Sequence, residues 1–399
     1  MCTSNLNLNL IQKEYDEMKK KALNSNLHKA RKNKNDEFYT RNTDIENELK
    51  YYRNQFKNKI IYCNCDDPTE SEFYRYFHLN FHFFGLRLLI STHYDAKKPT
   101  YALIYQGGSS EQSDNDYNSY DKKIPLRENG DFRSNESIAY LEQSDIVVTN
   151  PPFSLYREYV AQLMKYHKNF IIIGNKNSIT YKEIFPLLMN NKMWEGVNSV
   201  KEFIQPDGSI KKLGNVGWFT NMPVNKPTDR VILWNHYTPE EFPTYYNYAA
   251  FECSKLSRLP KNKEIDVWIN KKQLNNFKQV YQNDLTIKDK KDVNILVHIV
   301  HPIFGVPITF LDKYNPSNRL IDKNSLNTDN LANRFDIIGT DLKDMAKDLG
   351  ITPIGKDFCN LYFSQGKKGH ISPSMRNLAY IDKDGKAKLP FSRILVRVR

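Results

Sequence analysis

Short apolar runs alternate with segments of helical spacing through the first half of the chain. Short apolar runs predict a strand at 59–68 that ends in an acidic turn, a second strand at 86–92, and buried strands at 145–149 and 170–174. Apolar residues at helical spacing predict helices at 44–56, 71–84, 135–143, 155–166 and 181–190. This alternation predicts an α/β fold with a doubly wound, mainly parallel, Rossmann-like sheet, closed by strands at 215–221 and 230–234.

The pattern changes from about residue 236. Tyrosine and proline crowd 237–251, a basic and interrupted stretch follows, and the alternation of strands and helices is lost. We therefore predict three regions: a polar, basic arm over 1–35, a catalytic α/β domain over 36–235, and an appended α+β region over 236–399.

Charge and composition favour a polyanionic partner. The chain has 58 Lys and Arg against 46 Asp and Glu, for a net charge of +12. No apolar run reaches the ~18 residues of a membrane span, and the first residues lack a signal-peptide pattern. We therefore expect a cytoplasmic protein without a membrane partner. The oligomeric state stays open, and a monomer is compatible with the sequence.

The five cysteines are scattered, and an odd, scattered set does not form a disulfide framework. Cys63 and Cys65 make a Cys-x-Cys pair, but no second Cys/His pair follows at the spacing of a zinc site. We interpret both as small residues that end a strand, and a metal role is the alternative.

The strand at 145–149 runs into Asn150, Pro151, Pro152 and Phe153. Because the prolines cannot donate to a sheet, the strand must stop there. The stop leaves an amide, a carbonyl and an aromatic ring at the carboxyl edge of the sheet, where open α/β folds bind ligands. Asn-Pro-Pro-Phe is the signature of amino-methyltransferases that act on adenine in nucleic acid. A simple Asx-Pro turn is the alternative.

Several further segments resemble the EcoRI-type adenine-specific DNA methyltransferases. The matching segments are 36–40, 62–68 (Tyr-Cys-Asn-Cys-Asp-Asp-Pro), 130–134 (Gly-Asp-Phe-Arg-Ser), 145–155, 217–221, 305–316, 335–339 and 392–396. One departure is that Asp66-Asp-Pro-Thr-Glu-Ser71 follows the first strand in place of the usual Gly-x-Gly turn.

The resemblance implies methyl transfer from S-adenosyl-L-methionine to the N6 amine of an adenine flipped out of double-stranded DNA, in a restriction-modification or phage-type setting. The catalytic residues would be Asn150, Pro151, Pro152 and Phe153. The Asn150 side chain and the Pro151 carbonyl would accept the two amine hydrogens, and Phe153 would stack on the base. Residues 236–399 would recognise the target sequence.

The resemblance also implies a set of cofactor-binding residues: Phe38, Tyr39, Thr40, Asp66, Asp131 and Phe132. Asp66 would meet the methionine ammonium, and Asp131 would accept from the adenine amine of the cofactor. The alternative for Asp131 is an acidic residue at the N-terminus of a helix. The alternative for the 38–40 segment is a set of hydrophobic and capping residues before a helix. Asp95 is the nearest candidate for the ribose hydroxyls.

Two other functions stay open at this stage. Asn-Pro-Pro-Phe does not specify the polymer, so the enzyme could act on RNA or on a protein amide. A catalytically silent DNA-binding protein with the same fold is the other alternative, although the intact Asn150 and Phe153 disfavour it.

Overall fold

The computed structural model describes residues 39–108, 121–204, 209–226, 231–317, 330–368 and 371–399. The chain forms two compact units. The first comprises the described residues up to Ile184 and Glu195–Val224, and the second comprises Phe185–Trp194 and the described residues from Asn225 onward. The arm predicted over 1–35 lies outside the described residues, as does Phe38.

A nine-stranded sheet contains the strands that precede residue 221. They are β1 (Tyr39–Thr40), β2 (Ile60–Cys65), β3 (Leu88–His93), β4 (Tyr101–Tyr105), β5 (Lys122–Pro125), β6 (Ile146–Thr149), β7 (Asn169–Asn175), β8 (Trp194–Ile204) and β9 (Ile210–Thr220). Their spatial order is β1-β8-β9-β7-β6-β2-β3-β4-β5. The pairs β2/β3, β2/β6 and β6/β7 are parallel, whereas β3/β4, β4/β5, β7/β9 and β1/β8 are antiparallel. The predicted α/β class is therefore confirmed, with its parallel part in the four central strands.

Helices precede or connect the central strands. They are α1 (Asn42–Leu49), α2 (Glu72–Leu79), α3 (Phe81–Phe84), α4 (Asn135–Gln143) and α5 (Tyr156–Lys165). Two of them begin at serine caps, because Ser71 accepts from Tyr74 N and Ser134 accepts from Ser137 N. The short α3 ends at Gly85, whose φ of +60° closes the helix in the left-handed conformation.

The order of the parallel strands determines which face each helix covers. The chain moves from β2 to β3 in one direction, and then back past β2 to β6 and β7. Right-handed crossovers therefore place α2 on one face of the sheet, and α4 and α5 on the other. Contacts on the second face agree, because Tyr62 OH on β2 donates to Ser137 O of α4, and Asn64, two residues along β2, accepts from Tyr159 of α5.

The side of the sheet that contains β8 and β9 differs from the sequence prediction. The prediction of a strand at 230–234 is wrong for the described residues 231–234, because they form no strand. The strands β8 and β9 close that side of the sheet instead. In β8 the apolar residues are interrupted by Glu195, Asn198, Lys201 and Glu202, so the strand carries no continuous apolar run that would predict it.

The second unit combines small sheets with short helices. A four-stranded sheet has the order β10 (Phe251–Glu252), β14 (Ile303–Pro307), β18 (Arg393–Val398) and β15 (Phe335–Thr340), and a three-stranded sheet has the order β11 (Glu264–Asn270), β13 (Asn294–Val300) and β12 (Leu285–Lys290). A two-stranded hairpin joins β16 (Tyr380–Ile381) to β17 (Ala387–Lys388). The helices are α6 (Phe185–Met189), α7 (Leu274–Tyr281), α8 (Phe310–Lys313), α9 (Leu331–Arg334), α10 (Lys343–Asp348) and α11 (Lys356–Ser364).

A buried polar network lies in the four-stranded sheet of this unit. Arg393 donates to Glu252 from Nη2 (2.7 Å), and Asp341 accepts from the main-chain N–H of Arg393 (2.7 Å). Glu252 and Asp341 are each 1% exposed. Burial raises the pKa of the Asp341 carboxyl to about 6. Each charged group here has a partner, which is what makes such burial tolerable.

In the part of the chain that is described, no helix is both long enough and apolar enough to span a lipid bilayer.

Candidate active site

The chain order of the parallel strands reverses between β2 and β6. Open α/β sheets bind ligands in the crevice outside the carboxyl ends of the strands at such a point. Cys65 is the last residue of β2, Asp66 and Asp67 follow it, and Asn150 follows β6. The two strand ends are joined, because Thr149 Oγ1 donates a hydrogen bond to Asn64 O.

The end of β2 has an unusual backbone. Cys65 has φ +92°, a conformation that L-residues other than glycine rarely adopt. Where the sequence lacks the expected Gly-x-Gly turn, a cysteine therefore makes a comparable bend. The preceding Asn64 is 3% exposed, and its Oδ1 accepts from Tyr159 OH of α5. Strained residues persist when their surroundings hold them in place, and they cluster at functional sites.

The thiols at this strand end are neutral. Burial raises the pKa of both Cys63 and Cys65 well above the ordinary value, and the nearby Asp66 carboxylate raises it further. A thiolate is what binds a metal or attacks an electrophile. Among the described residues, no group of three or more His, Cys, Asp and Glu side chains forms a metal-binding cluster.

Two consecutive aspartates follow the bend. Asp66, predicted from the sequence, is partly exposed at the carboxyl end of β2. Asp67 was not predicted, and its Oδ1 accepts from Thr69 N (3.0 Å), Thr69 Oγ1 (2.7 Å) and Tyr101 OH (3.0 Å). Burial alone would raise the pKa of Asp67, but the bonds from Thr69 and the neighbouring His93 lower it overall. Asp67 therefore anchors this turn.

His93 lies at the end of β3, beside the end of β2. Its Nε2 is 3.6 Å from Asp67 Oδ2, and its side chain is buried. Burial lowers the pKa of His93, and this outweighs the opposing effect of Asp67. A Cβ on Gly130 (φ +70°) would lie 1.8 Å from His93 O, so only glycine fits there. Gly130 thus brings the predicted Asp131 beside the end of β3.

Asp131 is held by an arginine two residues later. Arg133 donates from Nε to Asp131 Oδ1 (2.9 Å) and from Nη2 to Asp131 Oδ2 (2.7 Å). Nη1 of the same guanidinium donates to Glu158 on α5 (2.8 Å). Oδ1 also accepts from Arg133 N (2.9 Å), so the lone pair that remains for another donor is on Oδ2. The sequence did not predict this arginine, which fixes the orientation of the carboxylate.

Phe132 is buried and 5% exposed. Its ring packs edge-to-face on Tyr159, with 4.9 Å between centroids, and its carbonyl accepts from Gln162 Nε2 (2.8 Å). The side chain predicted to bind the cofactor therefore also belongs to the core between the sheet and α5.

Asp95, the ribose candidate, lies in a turn after β3. Its main-chain N–H donates to Asn129 O (3.2 Å), and its Oδ1 accepts from Lys97 N (2.7 Å) and Lys98 N (3.2 Å). The turn therefore lies beside the loop that carries Gly130 and Asp131.

The Asn150–Phe153 turn links β6 to α5. Asn150 is 7% exposed, and Pro151 is buried. The partly exposed ring of Phe153 packs edge-to-face on Phe203, with 6.5 Å between centroids. The turn is therefore fixed by β6, which precedes it, and by β8, which contacts Phe153.

The predicted segment 38–40 includes β1, which pairs with β8 beside Phe203. In β1, Thr40 is opposite Phe203 of β8, and Tyr39 is opposite Ile204. Thr40 is 2% exposed, and its hydroxyl has no hydrogen-bond partner among the described residues. The predicted Tyr39 and Thr40 therefore lie next to the strand that contacts Phe153. Phe38, the third member of the segment, lies outside the described residues.

A buried glutamate holds β8 in position. Glu48 of α1 accepts from the main-chain N–H groups of Val197 (2.9 Å) and Asn198 (2.8 Å) and from Tyr52 OH (3.0 Å). Burial raises the pKa of Glu48, and these hydrogen bonds oppose that shift. A Cβ on Gly196 would lie 2.3 Å from Glu48 Oε1, so the strand approaches the carboxylate closely. The sequence motifs did not predict this contact between Glu48 and β8.

The polar groups at these strand ends fit a methyl donor that has a cationic amino-acid end and a nucleoside end. A partly exposed carboxylate, Asp66, follows β2, and an oriented carboxylate, Asp131, lies beside β3. The buried Thr40 hydroxyl adds a polar group whose hydrogen-bonding capacity no described residue uses. Buried hydroxyls are usually satisfied, so this one is a candidate ligand contact.

The chain is similar in sequence to known adenine-specific methyltransferases. The model of one family, described as adenine-specific methyltransferase EcoRI, matches residues 26–279. The chain belongs to this family. Type II methyltransferase M.EcoRI from Escherichia coli is 39% identical over 332 residues, which cover 75% of this chain and 89% of that relative. Type II methyltransferase M.MpnI from Mycoplasma pneumoniae is 34% identical over 318 residues, which cover 74% and 85%. No solved structure matches the chain.

The resemblance predicted from the motifs is thereby confirmed, and the protein is an adenine-specific DNA methyltransferase. Its reaction requires a methyl donor.

Proposed function

We propose that the protein transfers a methyl group from S-adenosyl-L-methionine to N6 of an adenine rotated out of double-stranded DNA. The observation that carries this proposal is the hydrogen bond from Thr149 to Asn64 O. It joins the strand end that bears Asn150 to the strand end that bears Asp66. The group that would accept the base and the group that would hold the donor therefore share one crevice.

Asn150 and Pro151 act on the adenine amine. The lone pair of this amine is delocalised into the ring, so the nitrogen is a weak nucleophile. Asn150 Oδ1 and Pro151 O each accept one amine hydrogen, which favours a pyramidal nitrogen with its lone pair directed at the methyl group. These bonds strengthen as positive charge develops on nitrogen, so they stabilise the transition state more than the ground state.

Phe153 captures the base. One side of its ring is supported by Phe203, and the ring remains partly exposed. A supported aromatic ring supplies a stacking surface worth about 1–3 kcal/mol per base. The base must leave the duplex to reach a buried amide at the end of a strand, which is the general strategy of enzymes that modify bases.

The predicted cofactor-binding residues hold the methyl donor in this proposal. Asp66 pairs with the ammonium of the methionine moiety, and Asp131, oriented by Arg133, accepts from the cofactor adenine amine. Tyr39, Thr40 and Phe132 complete the binding surface, together with Phe38. When bound, S-adenosyl-L-methionine supplies an electrophilic methyl group on a good leaving group, so the protein has mainly to bind and orient.

The region from 236 to 399 recognises the DNA target in this proposal. It contains most of the second compact unit, whose mainly antiparallel sheets differ in type from the catalytic sheet. The net charge of +12 supports binding of a polyanion.

Incubation with tritiated S-adenosyl-L-methionine and equal amounts of duplex DNA, RNA or protein tests the proposal. The DNA should come from a host that lacks adenine methylation, and a boiled sample serves as the blank. Label should enter DNA, and nucleoside chromatography should recover it as N6-methyladenine. Label in RNA or protein alone, in cytosine, or in no polymer would contradict the proposal.

A further inference from the structure

The C-terminal end of α11 is joined to the β16–β17 hairpin by one side chain. Gln365, which follows the helix, donates from Nε2 to Gly385 O (3.0 Å), and its Oε1 accepts from Ala387 N (2.9 Å). Apolar packing holds the same two elements together. The cluster consists of Ile354, Phe358, Cys359, Ile371, Ala379 and Ala387. Helix end and hairpin therefore form one structured surface.

Lysines concentrate on this surface. Lys367 and Lys368 follow Gln365 by two and three residues, and Lys383 and Lys386 flank Gly385 in the hairpin loop. We call these four lysines the basic patch. Since Gln365 binds both Gly385 and Ala387, the two pairs of lysines lie on neighbouring segments. Residues 365–388 contain six Lys and Arg but only two acids, a stronger bias than the 58 to 46 of the whole chain.

The side chains of the basic patch are available to a partner. All four lysines are exposed, and within the described residues none forms an ion pair. Of the two acids in this stretch, Asp384 is exposed and Asp382 is already engaged. Asp382 accepts from Lys386 N (2.8 Å) and Asp384 N (3.1 Å), and it pairs with Lys388 (3.4 Å). The local positive charge is therefore not neutralised by Asp382.

We propose that the basic patch binds the phosphate backbone of the duplex DNA substrate. This inference rests on the proposed function, because the partner is the polyanion on which the enzyme acts. Lysine is a flexible point charge without the fork geometry that reads guanine, so four lysines suit phosphates better than base edges. The patch should contribute affinity and salt dependence but no sequence preference.

Two double variants and one matched control test the inference in the full chain. The patch variants are Lys367→Gln with Lys368→Gln, and Lys383→Gln with Lys386→Gln. The control is Lys57→Gln with Lys165→Gln. Both control lysines are exposed and lie next to the amino ends of β2 and β7, on the sheet edge opposite the crevice. Fluorescence anisotropy then gives the dissociation constant for duplex DNA between 50 and 200 mM salt.

Each patch variant should make the log–log salt slope shallower by about 2, since each phosphate contact contributes about 0.9. The loss should be equal on cognate and non-cognate duplexes, and single-turnover methylation at saturating DNA should stay at the wild-type rate. The control should keep the wild-type slope.

Wild-type slopes in both patch variants would overturn the inference, as would a loss confined to the cognate duplex, which would indicate base reading. A control slope that falls as much as those of the patch variants would also overturn it, because the charge effect would then not be local. If the wild-type protein leaves no methyl group on DNA, the proposed function itself fails, and that result is distinct from the others.

Discussion

Thr149, the last residue of β6, donates its side-chain hydroxyl to the main-chain carbonyl of Asn64, near the end of β2. Asn150 follows Thr149 directly, and Cys65 with its positive φ follows Asn64. The bond therefore fixes the spacing between the two halves of the crevice. It is buried, since Thr149 is 1% and Asn64 3% exposed.

Thr149→Val removes this hydroxyl but keeps the shape of the side chain. We expect the single-turnover methylation rate to fall by about 10–100-fold, because a displacement of about 1 Å at a reacting centre has effects of this size. The free energy of unfolding should fall by only about 1 kcal/mol. Thr220→Val is the matched control, since Thr220 Oγ1 donates to Phe170 O (2.7 Å) at the amino end of β7. A rate loss of the same size in the control would contradict a specific role for Thr149.

Gly130→Ala should weaken cofactor binding by more than about tenfold. A Cβ there would lie 1.8 Å from His93 O, so the loop must shift and carry Asp131 away from the end of β3. A charge-assisted hydrogen bond is worth about 1.5–3 kcal/mol, and a loss of that size is a change of tenfold to a hundredfold in affinity. Calorimetric titration of the cofactor measures it.

Gly85→Ala is the control for Gly130→Ala. Gly85 also has a positive φ (+60°), but a Cβ there meets only Lys57 Cγ at 3.7 Å. The backbone strain is therefore shared, while the clash with His93 is not. If both variants bind the cofactor with wild-type affinity, the assignment of Asp131 to the cofactor is wrong.

The buried Asp341 predicts a pH dependence of stability. Its pKa is about 6 in the folded protein, against an ordinary value of 3.8. The folded state thus holds a proton that the unfolded chain releases between about pH 4 and 6. This contribution is present below pH 4 and is lost as the pH rises through 6, by about 3 kcal/mol in total.

Asp341→Asn should remove that contribution. Urea unfolding at pH 4.5 and pH 7.5 should show the wild-type protein losing more stability over this interval than the variant loses. Asp384→Asn, which changes an exposed carboxylate, should behave as wild type. Parallel behaviour of wild type and Asp341→Asn would contradict the raised pKa.

The sequence predicted the central strands and the turn at Asn150 because both depend on local patterns. Short apolar runs mark β2, β3, β6 and β7, and two prolines end β6. The strand β8 was missed because its apolar positions are interrupted by charges, and Glu48, its buried support, is distant in sequence. Asp67 and Asp66 are adjacent and chemically identical, so only the structure could show which of them accepts from Thr69 and Tyr101.

Phe153→Ala should weaken base capture as well as slow methyl transfer. The substitution removes a stacking surface worth about 1–3 kcal/mol, so the apparent affinity for the flipped base should fall by roughly 5–150-fold. 2-Aminopurine at the target position reports flipping by its fluorescence. Phe153→Trp should keep part of both signals, because it preserves an aromatic face. Equal flipping in the alanine variant and the wild type would show that Phe153 does not stack on the base.

The central claim is that Asn150 accepts a hydrogen from the adenine amine in the transition state. Single-turnover methylation by Asn150→Ala tests it most directly, on an unmethylated duplex that contains the target site of the enzyme. Cofactor and DNA affinities are measured in parallel. We predict a rate lower by about 10²–10³, as for loss of one preorganised group in an active site, with both affinities changed by less than about threefold. A rate near that of the wild type would mean that the Asn150 turn only ends a strand, and the proposed mechanism would be wrong.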